Sequence, residues 1–250
     1  DALTLNTTAS YNTAIGSNAL KLNTTGSTNV AVGQNSLTAN TTGSNNTAIG
    51  RSALAANTTA GFNVAVGMNA LDANTTGTSN IALGAGSLTS NTTASKNVAV
   101  GHSALAVNTT GQQNVAVGAL ALDANTTADY NTGVGYAALG ANTTGHSNSA
   151  LGRAALNSNS TGDKNTALGY YALGANTTAD NNTAVGYEAL LQNQTGVNNV
   201  AVGYEALKTS THGSNVAVGF RALKEQTTGY YNVAVGENAA EKLTSKTTTT

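Results

Sequence analysis

Proline, cysteine and tryptophan are absent from this 250-residue sequence, and charged residues make up only 8% of it. Without cysteine there are no disulfide staples and no thiolate metal sites, which is compatible with either redox compartment. With so few charges, solubility rests on Asn, Thr, Ser and Gly, which hydrate without ionising. The formal charge of -1 provides no basic stripe for phosphates and no cationic face for an anionic bilayer. Nucleic acid is therefore not an expected partner. Apolar runs reach only about five residues, so direct membrane insertion is not expected either. The opening Asp1-Ala2-Leu3-Thr4-Leu5-Asn6 has neither the basic start nor the apolar core of a secretory leader. An export signal is expected to have been removed, or export to follow another route.

What the chain does contain is one motif, repeated. The pentad Asn-x-Ala-x-Gly begins at Asn12, Asn29, Asn46, Asn63, Asn80 and Asn97 and continues through Asn232, with Gly133 in place of Ala in one copy. The spacing is 17 residues throughout, except for 16 between Asn199 and Asn215, which puts a one-residue deletion near Lys208 to His212. On this period the unit reads Asn-(Val/Thr)-Ala-(Val/Ile/Leu)-Gly-x-x-(Ala/Ser)-Leu-x-x-Asn-Thr-Thr-(Gly/Ala)-x-x. Position four is always aliphatic, and position nine is Leu from Leu20 to Leu223, relaxing at Ala240.

Alternation over Val30-Ala31-Val32 is a strand pattern of period two, and no stripe of helical spacing competes with it. Two short strands per unit are expected, one around Asn-Val-Ala-Val and one around Ala-Leu-x-x-Asn-Thr. A repeat that keeps residue identity at every position is most simply explained if each residue stacks on its own copy in the next unit. The expected fold is therefore all-β: a parallel β-solenoid of 17-residue coils. Its domains are a partial first coil at 1–11, a repeat domain at 12–240 and a C-terminal tail at 241–250. Asn12, Asn29, Asn46, Asn63, Asn80 and Asn97 begin a structural ladder bonded along the stack, with a second Asn column from Asn6 to Asn193. The glycine at position five is expected to take a positive φ at a corner. If positions two and four point inward, the alanine column faces out as an apolar stripe for packing against other copies, in a trimer around a shared axis.

The chain begins part-way through a coil and carries no recognisable capping unit. This fits either a fragment of a longer fibre or a subunit whose ends stack head to tail into a polymer.

Several columns are candidate sites. Asn-Thr-Thr makes Asn23, Asn40, Asn57 and Asn74, among others, candidate glycosylation acceptors, with a turn and an Asn ladder as the structural alternative. The ranked threonines are also compatible with an ice-binding face, although adjacent residues of a strand point to opposite sides. Position six turns aromatic at Tyr136, Tyr170, Tyr187, Tyr204 and Phe220. This row either stacks on the sugar rings of a glycan receptor or packs coil to coil. His102, His146 and His212 occupy different repeat positions with no fixed carboxylate partner, so no catalytic residues, metal site or cofactor are expected.

Asn29-Val30-Ala31-Val32-Gly33 and Asn46-Thr47-Ala48-Ile49-Gly50, followed by Ala-Leu and Asn-Thr-Thr-Gly, resemble the YadA-like head repeats of trimeric autotransporter adhesins. They are similar also to repeats of phage tail fibres and bacterial surface fibres. The resemblance covers nearly the whole chain, although this coil carries extra residues in its Asn-Thr-Thr turn. It implies a left-handed β-roll, a homotrimer and a role in attachment to a host surface. The expected function is a non-enzymatic structural subunit of an extracellular fibre or adhesin at the cell surface. The alternatives are a tail-fibre shaft on a virion and an ice- or carbohydrate-binding solenoid.

Overall fold

A computed structural model describes residues 1–244, so most of the tail expected at 241–250 lies outside the described residues. The chain is an all-β parallel solenoid that divides into two compact units, Asp1–Asp129 and Tyr130–Thr250. The first unit holds β1 (Thr13–Ile15), β2 (Val30–Val32), β3 (Thr47–Ile49), β4 (Val64–Val66), β5 (Ile81–Leu83), β6 (Val98–Val100) and β7 (Val115–Val117). The second holds β8 (Thr132–Val134), β9 (Ser149–Leu151), β10 (Thr166–Leu168), β11 (Thr183–Val185), β12 (Val200–Val202), β13 (Val216–Val218) and β14 (Val233–Val235). Within each unit the strands pair in parallel and in sequence order, with like over like: Ala31 sits opposite both Ala14 and Ala48, and Ala167 opposite Ala150 and Ala184. The one-residue deletion leaves this register intact, since Ala201 still pairs with Ala217.

Each coil has one strand, not two. The expected second strand, Ala-Leu-x-x-Asn-Thr, is a run of turns in which local bonds alternate with bonds to the next coil. Ala19 N–H donates to the Gly16 carbonyl and Asn23 N–H to Leu20, while Leu20 N–H reaches Ser36 one coil on. Two left-handed residues bend this segment, at positions seven and nine: Asn35 has φ 59° and Leu37 φ 50°. Positive φ costs a Leu roughly 1–2 kcal/mol, yet every copy of the Leu column from Leu20 to Leu223 adopts it. The return is burial, because that conformation turns each Leu into the coil, where it is fully enclosed.

The strand is oriented opposite to expectation. Ala31, Ala48, Ala65, Ala82 and Ala99 are completely buried, whereas the flanking aliphatics are half-buried or exposed. Volume accounts for the reversal. The narrow interior is already filled by the leucines, the alanines of position eight and two asparagine columns, so only a methyl fits behind the strand. The glycine at position five has φ between 124° and 138° in every copy, as expected. A Cβ on Gly33 would lie 2.6 Å from the Gly50 carbonyl oxygen, so neighbouring coils meet there backbone to backbone.

Candidate functional site

Four features on this scaffold bear on function: two buried asparagine columns, an outward aliphatic ribbon, an aromatic row and an ionic cluster.

The asparagines are internal fasteners. In column one, Asn12 Oδ1 accepts the Asn29 backbone N–H at 2.9 Å, and Asn29 Oδ1 accepts that of Asn46 at 3.0 Å. The side-chain amides cross the coil, Asn29 Nδ2 donating to the Gly43 carbonyl and Asn46 Nδ2 to that of Ala60. Asn63, Asn80 and Asn97 repeat the arrangement. The expected ladder is present, and its rungs in this column join side chain to backbone, with an added side-chain bond from Asn165, Asn199 and Asn232. In column twelve they join side chain to side chain: Asn40 Nδ2 reaches Asn23 Oδ1 and Asn74 Nδ2 reaches Asn57 Oδ1.

This arrangement is the structural alternative to glycosylation, a turn with an Asn ladder. Asn23, Asn40, Asn57 and Asn74 are fully buried, and each donates its amide both along the ladder and to a carbonyl three residues on. In the folded coil these nitrogens are not presented to a glycosyl donor. The threonines that follow split their roles. Thr24, Thr41 and Thr58 spend their hydroxyls on the backbone of the next coil, and only the second Thr of each pair, such as Thr25 or Thr42, stands exposed. The free hydroxyl array is one file wide.

The aliphatic ribbon is what the outward strand face becomes. Ile15, Ile49 and Leu83 in the first unit, and Leu151 and Leu168 in the second, are exposed by 37–60%. The valines between them are half-buried. The sequence carries this ribbon in full; it is the face assignment, and so the location of the apolar stripe, that changes from the Ala column to positions two and four.

The aromatic row is a stacked ladder. Tyr170, Tyr187, Tyr204 and Phe220 stand 5.1–5.3 Å apart, centroid to centroid, with planes within 13° of parallel. Tyr136 joins through Arg153, whose guanidinium lies 5.9 Å from its ring and 5.5 Å from that of Tyr170. The rings occupy each other's faces and leave their edges to solvent, which is the coil-to-coil packing alternative.

Next to this row lies an ionic cluster that reading the repeat did not reveal, because it occupies variable positions. Glu205 is buried and receives Lys208 Nζ at 2.7 Å, Lys224 Nζ at 2.7 Å and Arg221 Nε at 3.1 Å. Lys208 also bonds Glu188 at 2.6 Å. Burial alone would raise the Glu205 carboxyl, but the bonds and charges of Lys208 and Lys224 outweigh it and hold it down at about 2. Among the described residues no group of three or more His, Cys, Asp or Glu is placed to hold a metal ion, and no helix is long and apolar enough to cross a membrane. The three histidines stay apart, in different coils.

Comparison with family models, with curated proteins and with solved structures finds no match for this chain.

Proposed function

We propose that the chain is a non-enzymatic structural module of an extracellular fibre or adhesin, and that its copies assemble side by side through the aliphatic ribbon. The ribbon is the observation that carries this reading. An exposed run of Ile, Leu and Val repeated at every coil is costly to leave in water, and burying it returns roughly 25 cal/mol per Å². The polar side chains give the same reading from the other direction: asparagines and threonines are largely committed to bonds within the stack rather than to a reactive surface. Resemblance to trimeric adhesin repeats favours three copies around an axis and attachment to a surface as the purpose. A shaft of a virion tail fibre uses the same physics and differs in what it is joined to.

Sedimentation velocity of the purified chain tests assembly. We expect an oligomer for the wild-type chain and a monomer for the double variant Leu83→Glu, Leu151→Glu, with the thermal melt of the monomer's coils retained. A wild-type chain that stays monomeric at all concentrations overturns the reading.

A further inference from the structure

The 16-residue coil between Asn199 and Asn215 is where the repeat's internal satisfaction fails. Thr211 keeps the bonds of a position-thirteen threonine, donating both its N–H and its hydroxyl to the Thr227 carbonyl. His212 carries the carbonyl that a Cβ on Gly196 would meet, as position fifteen does in other coils. The missing residue is therefore the exposed threonine of position fourteen. Its loss opens a notch of about 500 Å³ in the outer face, spanning three successive coils of the second unit. That volume is within the roughly 300–1,000 Å³ of ligand sites.

The ladder breaks at the same place. Ser210 stands where column twelve has Asn, and its hydroxyl reaches only the nearby His212 carbonyl, at 3.3 Å. Asn193 Oδ1, lacking a donor from the next coil, turns back to its own Gly196 N–H. The buried Asn182 Nδ2, whose equivalents bond the position-fifteen carbonyl, has no partner among the described residues, and its counterpart carbonyl would be that of Gly196 in the notch floor.

The walls combine aromatic faces with polar groups: Thr195, Asn198, His212, Ser214, Tyr230 and Tyr231. Tyr230 is held edge-on against His212 at 4.8 Å and 89°, and Tyr231 is tilted from it by 40° at 6.3 Å. His212 is itself fixed by Nδ1, which lies 3.0 Å from the Thr227 carbonyl. Among the described residues, nothing bonds His212 Nε2, Thr195 Oγ1, the Asn198 side-chain amide or Ser214 Oγ, so four hydrogen-bonding groups surround two ring faces. No Lys, Arg, Asp or Glu lines the notch. This combination selects a neutral ligand with an apolar face and a rim of hydroxyls.

We propose that the notch at the short coil is a binding site for a neutral pyranose unit of a glycan. The apolar C–H face of the sugar lies on Tyr230, and its hydroxyls bond Asn198, Ser214 and His212 Nε2. The site is complete within one chain and goes beyond the assembly reading: it binds whether or not copies associate.

Saturation-transfer NMR tests this on the whole chain with the methyl pyranosides of glucose, galactose, mannose and N-acetylglucosamine. We expect transfer to at least one of them, reduced at least tenfold in Tyr230→Ala and in a variant with Thr inserted between Thr211 and His212, which restores a 17-residue coil. Tyr187→Ala, in the stacked row, should keep the signal. Circular dichroism melts establish that each variant is folded; if the insertion is not, Tyr230→Ala together with Asn198→Ala decides. Absence of transfer to all four sugars, transfer unchanged in the notch variants, or transfer lost in Tyr187→Ala overturns the proposal.

Discussion

Asn40 donates its side-chain amide to Asn23 Oδ1 at 2.8 Å, and the same bond recurs one coil on, where Asn57 donates to Asn40. Replacing Asn40 by Ala strands a buried acceptor on one side and a buried donor on the other. Unpaired buried groups cost about 1–3 kcal/mol each, so Asn40→Ala is expected to destabilise by about 3 kcal/mol or more. Thr42→Ala, on the exposed file, is expected to change stability by less than about 0.5 kcal/mol. Urea unfolding of the two variants beside the wild-type chain makes the comparison.

Two glycines separate contact from conformation. Gly33→Ala would place a methyl 2.6 Å from a backbone carbonyl at φ 128°, and a loss of about 3 kcal/mol is expected. Gly86 has φ 68° and nothing nearer than 3.5 Å to a Cβ, at a position where Asn18, Asn35 and Asn69 adopt the same conformation. Gly86→Asn should therefore be neutral or stabilise by about 0.5 kcal/mol through the unfolded chain. Equal losses in the two melts would refute the distinction.

Acid should weaken the second unit through Glu205. Its folded carboxyl is held at about 2, below the ordinary 4.5, so its contribution is complete above the ordinary value and is lost as pH falls towards 2. At roughly 1.4 kcal/mol per pH unit of displacement, the loss is on the order of 3 kcal/mol. Lys208 is displaced upward, chiefly by its hydrogen bond to Glu188, so its share fades only in alkali. Chemical denaturation at pH 7, 4 and 2.5 should show the fall, and Glu205→Gln should flatten it.

Tyr187 touches a ring on each face, Tyr170 at 5.3 Å and Tyr204 at 5.1 Å. Stacked pairs contribute about 0.5–1.5 kcal/mol each, so Tyr187→Ala should cost about 2 kcal/mol. A double-mutant cycle with Tyr204 should return a coupling of that order per pair, and additivity of the two single changes would show that the rings merely lie near one another.

Parallel stacking, the glycine corner and both asparagine columns were legible because identity at a fixed spacing leaves little else for like residues to do than stack. Which side of the strand faces in was not. Val30-Ala31-Val32 alternates equally well either way, and the outcome depends on the volume left by residues such as Leu37, which arrive from a different part of the coil. Leu37 itself was misread as part of a strand because its left-handed conformation contradicts the preference of its residue type, and only enclosure in the core offsets that. The segment after it carries a signal in its spacing: Asn40, Gly43 and Asn46 are buried at intervals of three, a period that neither a β-strand nor an α-helix has. The Glu205 cluster and the notch lie at departures from the repeat, where the consensus is uninformative.

Within either unit the backbone hydrogen bonds that leave a regular 17-residue coil end on an adjacent one, largely at equivalent atoms. Removing or duplicating one whole regular copy therefore presents most severed backbone donors with an equivalent acceptor. A gene built this way can lengthen or shorten its product by unequal crossing-over without passing through an unfoldable intermediate. An indel that is not a multiple of the copy length leaves a scar, as the short coil beside His212 does.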